Sequence, residues 1–331
     1  MRFNRDEKLE IIKLVEGSDL GVNRTLKELG IHKRTFYNWY RRYREKGPDG
    51  LKTSERAQRR VWNQIPNEHV NNVVDVALDI PEFSCRELAT HLTDHHKLFI
   101  SESSVYRILK ARGLITAPAF MTLSASDSFK DKTTRVNEMW QTDFTYFKIV
   151  GWGWFYLSTV LDDYSRCILA WDLCDGMTAP DVMVTVDKAL AYTGVPKNKR
   201  PKLLSDNGSC YISKEIKTYL EEKQIKPIHG RPGHPQTQGK IERYHRTMKN
   251  TIKLDHYYSP EELIRALENF IYYYNNIRYH EALGNLTPAS VYNGQTQKIL
   301  EQRQKTKCST MKLRRKLFEK EKSTKFEKVS P

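Results

Sequence analysis

The chain of 331 residues has no paired cysteines: Cys85, Cys167, Cys174, Cys210 and Cys308 form neither a CxxC pair nor a regular framework. An odd number of scattered thiols excludes a disulfide-built secreted scaffold and points to a reducing, cytoplasmic compartment. No apolar run approaches the ~20 residues that cross a membrane. The opening MRFNRDEKLE has no secretory apolar region. No internal period of the solenoid kind is present. An acidic excess is also missing, since 55 Lys and Arg stand against 40 Asp and Glu. The surplus lies at the two ends. Residues 1–66 hold 16 basic and 9 acidic side chains, residues 296–331 hold 12 and 4, and residues 67–295 hold 27 of each. Basic ends around a neutral middle suit phosphate contacts flanking an enzyme.

Residues 1–47 read as a helix-turn-helix domain with helices near 6–16, 23–29 and 33–46. Gly30 follows the second helix and Gly47-Pro48 stops the third. In the third, Phe36, Trp39, Tyr40 and Tyr43 form an apolar stripe at i, i+3, i+4, i+7, and Arg34, Asn38 and Arg41 face away from it. Arg pairs with guanine and Asn with adenine at major-groove edges, so these three are the base-reading candidates. Residues 48–66 read as a basic linker whose Arg56, Arg59 and Arg60 can follow a phosphate backbone. Residues 67–113 read as a second helical, helix-turn-helix-like DNA-binding domain. It has an S-x-x-E capping box at Ser84 and a DNA-contact candidate in Arg107. One thiol beside His91, His95 and His96 is too few for a structural zinc site. Residues 114–138 read as a polar linker.

From residue 139 the pattern changes to three successive strands, then alternating helices and short strands, over 139–295. Three segments stand out within it: MWQTDFTYF with Asp143, LLSDNGSCY with Asp206, and HPQTQGKIERYHRTMK with Glu242. Thirty-five residues separate Asp206 from Glu242. The helix from 239 to 253 has Ile241, Tyr244, His245, Met248 and Ile252 on one stripe. Glu242, Arg246, Lys249 and Lys253 lie along an adjoining edge, so a carboxylate and phosphate-seeking cations share one side. Lys240 joins Arg246 and Lys249 as a candidate DNA contact. Phosphodiester cleavage needs an activated nucleophile and a stabilised leaving oxygen, which two divalent ions about 3.5–4 Å apart supply when carboxylates hold them. Asp162 and Asp163 compete as carboxylates, and Asp163 is expected to pair with Arg166 or cap its turn. His280 is expected to be structural.

The D…D-35-E spacing, set inside SDNGSCY and HPQTQGKIERYHRTMK, resembles the catalytic triad of the retroviral-integrase superfamily. Within that superfamily the chain is most similar to the transposases of bacterial insertion sequences, over residues 140–292 or so. The resemblance implies a multidomain protein: all-α helix-turn-helix domains ahead of an α/β ribonuclease-H-like core with a mixed five-stranded sheet. It implies that Asp143, Asp206 and Glu242 are the catalytic and metal-holding acids. They would hold two Mg²⁺ per active site, with Mn²⁺ able to substitute. It further implies strand cleavage followed by 3′-OH strand transfer, double-stranded DNA of element ends and target as partners, and a homo-oligomer in a bacterial cytoplasm at the nucleoid. No small-molecule cofactor and no membrane partner are expected. A helix-turn-helix regulator with an inert core would lack one of the acids, and none is missing. A ribonuclease-H-type nuclease would leave two DNA-reading helical domains without a purpose. Residues 296–331 read as a basic tail with at most a short helix, formed on DNA.

Overall fold

The computed structural model describes residues 3–52, 61–115, 133–229, 239–252 and 256–327. The chain divides into two compact units, Met1–Gln64 and Ile65–Pro331. This departs from the six-part division expected from composition, because the second helical trio, the sheet and the C-terminal segment group together.

The first unit holds α1 (Arg5–Glu16), α2 (Val22–Glu28) and α3 (Lys33–Lys46). Helix α1 opens with a capping box, in which Glu7 N–H donates to Asn4 Oδ1 at 2.8 Å and Asn4 N–H to Glu7 Oε2 at 2.7 Å. Ile12, Leu26 and Phe36 are buried together, with Trp39, Tyr40 and Tyr43 packed against them. The core reaches past the expected boundary at residue 47. A 3₁₀ turn over Gly47–Leu51 brings Leu51 into the cluster at 2% exposure. Gly50 permits that turn, because a Cβ there would stand 2.2 Å from the Arg42 carbonyl oxygen.

The second unit opens with α4 (Asn67–Asp79), α5 (Cys85–His95) and α6 (Glu102–Ala111), whose Val73, Leu88, Leu92, Ile100 and Val105 form one core. Ser84 and Glu87 make the capping box at the start of α5. There follow β1 (Met139–Ile149), β2 (Gly153–Asp162), β3 (Ile168–Cys174), α7 (Ala179–Thr193), β4 (Lys202–Ser205), α8 (Ser209–Ile212), α9 (Lys214–Glu222) and β5 (Lys226–His229). Then come α10 (Gly239–Ile252), α11 (Pro260–Asn276), α12 (Pro288–Tyr292) and α13 (Thr296–Glu327). The five strands form a mixed sheet in the order β3-β2-β1-β4-β5. The first three are antiparallel, and β4 and β5 run parallel to β1. Strand alternation divides the core between the two faces. Trp140 and Leu203 pack with Val182, Val186 and Ile216 on one face, while Phe147, Ile149 and Leu157 pack with Ile241, Tyr244, Met248 and Leu267 on the other.

The C-terminal segment is not the tail expected from its composition. Over its described residues it is one 32-residue helix, α13. Its inner face is polar: Thr306, Thr310 and Arg314 are buried at four-residue spacing, and no continuous apolar stripe betrays the contact. Phe99 N–H donates to Thr310 Oγ1 at 3.2 Å, and Arg314 Nη2 donates to the Phe99 carbonyl at 2.9 Å. Arg303 grips both oxygens of Asp94 at 2.7 Å each. It also donates to the carbonyls of Gly284 and Asn285 at 3.1 and 2.8 Å. One guanidinium thus joins α5, α13 and the turn before α12, and an Arg86–Glu281 ion pair reinforces the junction.

Candidate active site

The site is set by strand register. Parallel pairing matches Met139 with Lys202, Trp140 with Leu203 and Gln141 with Leu204. Asp143 stands two residues further along β1, with the parity of the face covered by α10, and Asp206 follows directly after the last residue of β4. Asp143 Oδ1 accepts from the Phe144 N–H at 2.9 Å, and Asp206 Oδ1 accepts from the Gly208 N–H at 2.9 Å. Both carboxylates act on the thiol of Cys210 on α8, which burial pushes up and the negative charges of Asp206 and Asp143 push up further.

Glu242 stands exposed in the first turn of α10 and shares with Asp143 a cleft of about 480 Å³, lined also by His245, Arg246, Lys249 and Asn250. The helix is anchored there by an amide that the spacing of the acids does not reveal. Gln141, fully buried on β1, accepts from the Ile241 N–H at 3.1 Å and donates to Asp163 Oδ1 at 2.7 Å. His245 closes the back of the cleft, with Nδ1 at 3.4 Å from Asp143 Oδ2 and the buried Nε2 without a hydrogen-bond partner. In the sequence His245 looks like one more member of the apolar stripe, and nothing in its spacing distinguishes it from Tyr244 or Met248.

The competing acids have other duties. Asp162 caps the turn after β2, accepting from Ser165 N–H and Oγ at 2.8 and 2.6 Å and from the Asn137 N–H at 2.8 Å. Its carboxyl is pushed up by burial. Asp163 does not pair with Arg166. Its partner is Lys240, whose Nζ lies 2.6 Å from Asp163 Oδ2 and 2.8 Å from the Asp163 carbonyl oxygen. Lys240 is consequently no free phosphate contact, because a carboxylate exposed by only 3% requires its charge. His280 is half-buried, edge to face with the ring of Tyr274 at 4.8 Å, and is not among the residues lining the cleft.

The donor set suits a hard divalent cation, since carboxylate oxygens with spare lone pairs are its preferred ligands. Among the described residues, however, no three His, Cys, Asp or Glu side chains are drawn tightly enough together to hold one ion. Asp143 and Glu242 share the cleft, and Asp206, at the end of β4, is not part of the cleft's lining.

The DNA-contact candidates divide. Arg34, Asn38 and Arg41 are exposed on α3, opposite buried Phe36. Arg246 is exposed at the rim of the cleft, and Lys249 sits 4.3 Å above the ring of Tyr146. Arg107 is exposed but donates to its own helix, to Ser103 O at 3.2 Å and Ser104 Oγ at 3.1 Å. Arg56, Arg59 and Arg60 lie outside the described residues, as do residues 230–238 before α10.

Two models described as Integrase core domain match residues 133–235 and 223–288, and two described as Homeodomain-like domain match residues 4–52 and 35–109. The chain is similar to the Transposase for transposon Tn552 of Staphylococcus aureus, with 23% identity over 309 residues covering 84% of this chain and 62% of that protein. It is also similar to the Transposase InsF for insertion sequence IS3A of Escherichia coli (strain K12), at 27% identity covering 47% of this chain and 54% of that protein. The chain thus spans less than two thirds of the length of these relatives. Among solved structures, the HTLV-2 integrase catalytic core domain in complex with magnesium matches 48% of this chain and 97% of its own, at 20% identity and a TM-score of 0.39.

Proposed function

We propose that the chain is a DNA transposase, a reading supported by its matches to Integrase core domain models over residues 133–235 and 223–288 and by its similarity to the transposases of Tn552 and IS3A. In this reading it binds the ends of a mobile element, cuts a strand there and joins the freed 3′-OH to target DNA. The observation that carries the proposal is the helix that brings Glu242 into a cleft with Asp143, with Asp206 at the end of the neighbouring parallel strand and both aspartates acting on Cys210.

Asp143, Asp206 and Glu242 would hold paired Mg²⁺ ions, with Mn²⁺ an acceptable substitute. When bound, such ions supply an activated attacking oxygen and charge stabilisation at the leaving oxygen. The chain's own groups do the positioning. The Phe144 N–H and His245 fix the Asp143 carboxylate, and Gln141 fixes the first turn of α10 relative to β1. Arg246 and Lys249, one and two turns beyond Glu242, face the same cleft and draw a phosphate backbone towards it. The exposed face of α3 reads bases in the major groove. Two element ends must be held together for such a reaction, so a homo-oligomer acting on double-stranded DNA belongs to the same proposal.

The test is cleavage of a labelled duplex carrying the element's terminal sequence. Asp143→Asn, Asp206→Asn and Glu242→Gln are each expected to abolish cutting and joining with Mg²⁺ or Mn²⁺, while binding of the duplex and folding persist. Near-wild-type cutting by any one of the three overturns the assignment.

A further inference from the structure

The hairpin formed by β1 and β2 carries aromatic side chains that stand exposed among the described residues. Between Asp143 and Asp162 the sequence contains no acidic residue, and Lys148 is its single charge. Antiparallel pairing sets Tyr146 opposite Tyr156 and Lys148 opposite Trp154. These four residues therefore stand on one face of the sheet. Tyr146 is 49% exposed and Trp154 53% exposed, and their rings meet edge to face at 5.4 Å. Aromatic rings left in water in a contiguous group mark a contact surface, whereas single exposed apolar residues do not.

Two cations bracket this face. Lys148 Nζ lies 5.9 Å from the centre of the Trp154 ring, and Lys249 Nζ lies 4.3 Å from that of Tyr146. Lys249 also lines the cleft that holds Asp143 and Glu242. The aromatic face and the cleft are thus continuous through one side chain. Exposed rings on a two-stranded segment that holds no acidic residue between Asp143 and Asp162, flanked by ammonium groups, are the arrangement that stacks unpaired bases while lysines meet the phosphates. A duplex offers no open base faces, so the occupant must be single-stranded.

We propose that the Tyr146–Trp154 face is a stacking platform for unpaired nucleotides of the DNA strand that enters the cleft. The proposal rests on the transposase reading for its substrate, and it adds where a frayed or overhanging strand is held. Each ring accepts one base without regard to its identity, because every base has a π-face. Lys148 and Lys249 shift from the rings to the adjoining phosphates.

The experiment uses the full chain with chelator present, so that no cleavage occurs. Affinity is measured for a blunt labelled duplex and for the same duplex carrying a short oligothymidine overhang, by anisotropy and by quenching of tryptophan fluorescence. The wild-type protein is expected to prefer the overhang by roughly tenfold, the size of one stacked base. Trp154→Ala and Tyr146→Ala are expected to remove that preference and leave blunt-duplex affinity and thermal unfolding unchanged, and Trp154→Phe to keep most of it. Equal binding of both duplexes by the wild type overturns the platform and leaves the transposase reading standing. Equal weakening of both duplexes by the alanine variants also overturns it. So does a shift of Trp154→Ala from dimer to monomer with the overhang preference intact, which would make the face an interface between copies. Binding of neither duplex overturns the platform and the transposase reading together.

Discussion

Lys240 Nζ lies 2.6 Å from Asp163 Oδ2, two residues before Glu242 and on the same turn of α10. The pair fixes the helix start to the end of β2, while Gln141 bridges Asp163 to the Ile241 N–H. Glu242 therefore owes its placement in part to Asp163, through Lys240 and Gln141.

Removing one partner of this pair leaves the other charge buried and unmatched. Lys240→Met is expected to cost about 3 kcal/mol of stability. The double variant Lys240→Met with Asp163→Asn is expected to recover most of that loss, because no charge is stranded. Urea unfolding reads the stability. Cleavage kinetics are expected to show kcat falling while affinity for the DNA end changes little, as Glu242 shifts.

His280 supplies a pH dependence of folding. Burial, with Arg278 and Arg166 adding to it, pushes its imidazole down to about 3, against 6.5 for a free histidine. The folded protein therefore holds it neutral while the unfolded chain protonates it below 6.5. Its contribution is fully present above that value and is lost as the pH falls, at about 1.4 kcal/mol per pH unit until the folded value is reached. Wild-type unfolding midpoints measured from pH 7 to pH 5 should fall more steeply than those of His280→Gln.

Arg303 reaches Asp94 and two carbonyls with one planar group. Arg303→Ala is expected to lose about 2–4 kcal/mol, since Asp94 is left with a largely buried, unpaired charge. Arg303→Lys should recover less than half of this, because an ammonium cannot repeat the fork. Thermal unfolding and limited proteolysis of the full chain check both, with earlier cleavage within 65–115 as the sign that the trio has loosened.

On α3, Arg34→Ala and Asn38→Ala are each expected to cost roughly 1–3 kcal/mol at one base pair and to relax selectivity there. Arg107→Ala should weaken every DNA sequence alike, and only slightly, because that guanidinium already serves its own helix. Competition binding with a base-substituted panel of duplexes distinguishes the two patterns.

The parts legible in the sequence are those whose cause is local. Strand alternation gives β1 its full span from Met139 to Ile149, and the 3.6-residue period gives α10 its buried Ile241, Tyr244, His245, Met248 and Ile252. The parts that were hidden depend on partners far along the chain. Lys240 and Asp163 are 77 residues apart, and nothing near either one announces the other. Helix α13 was hidden for a different reason: its contact face is made of threonines and arginines, so its composition reads as a solvated tail. Leu51 was lost to the linker because a single apolar residue after Gly47-Pro48 carries no period. Gln141 and His245 escaped notice because an amide on a strand and an imidazole on an apolar stripe have no spacing rule that ties them to a carboxylate.

The bonds from α13 to α5 and to Phe99 join residues 209 to 215 positions apart. Chains leave the ribosome from the N-terminus at about 5–20 residues per second. Asp94 must therefore wait about ten seconds or more for Arg303 to be made, and Phe99 waits as long for Thr310 and Arg314. During that interval residues 65–115 can form their own core but cannot be clasped by α13. A protein whose helical trio begins to form early and is secured late spends its first moments in a looser state than the one described here. Translation rate, and any truncation before residue 303, therefore bears on how much of the newly made protein reaches the clasped form.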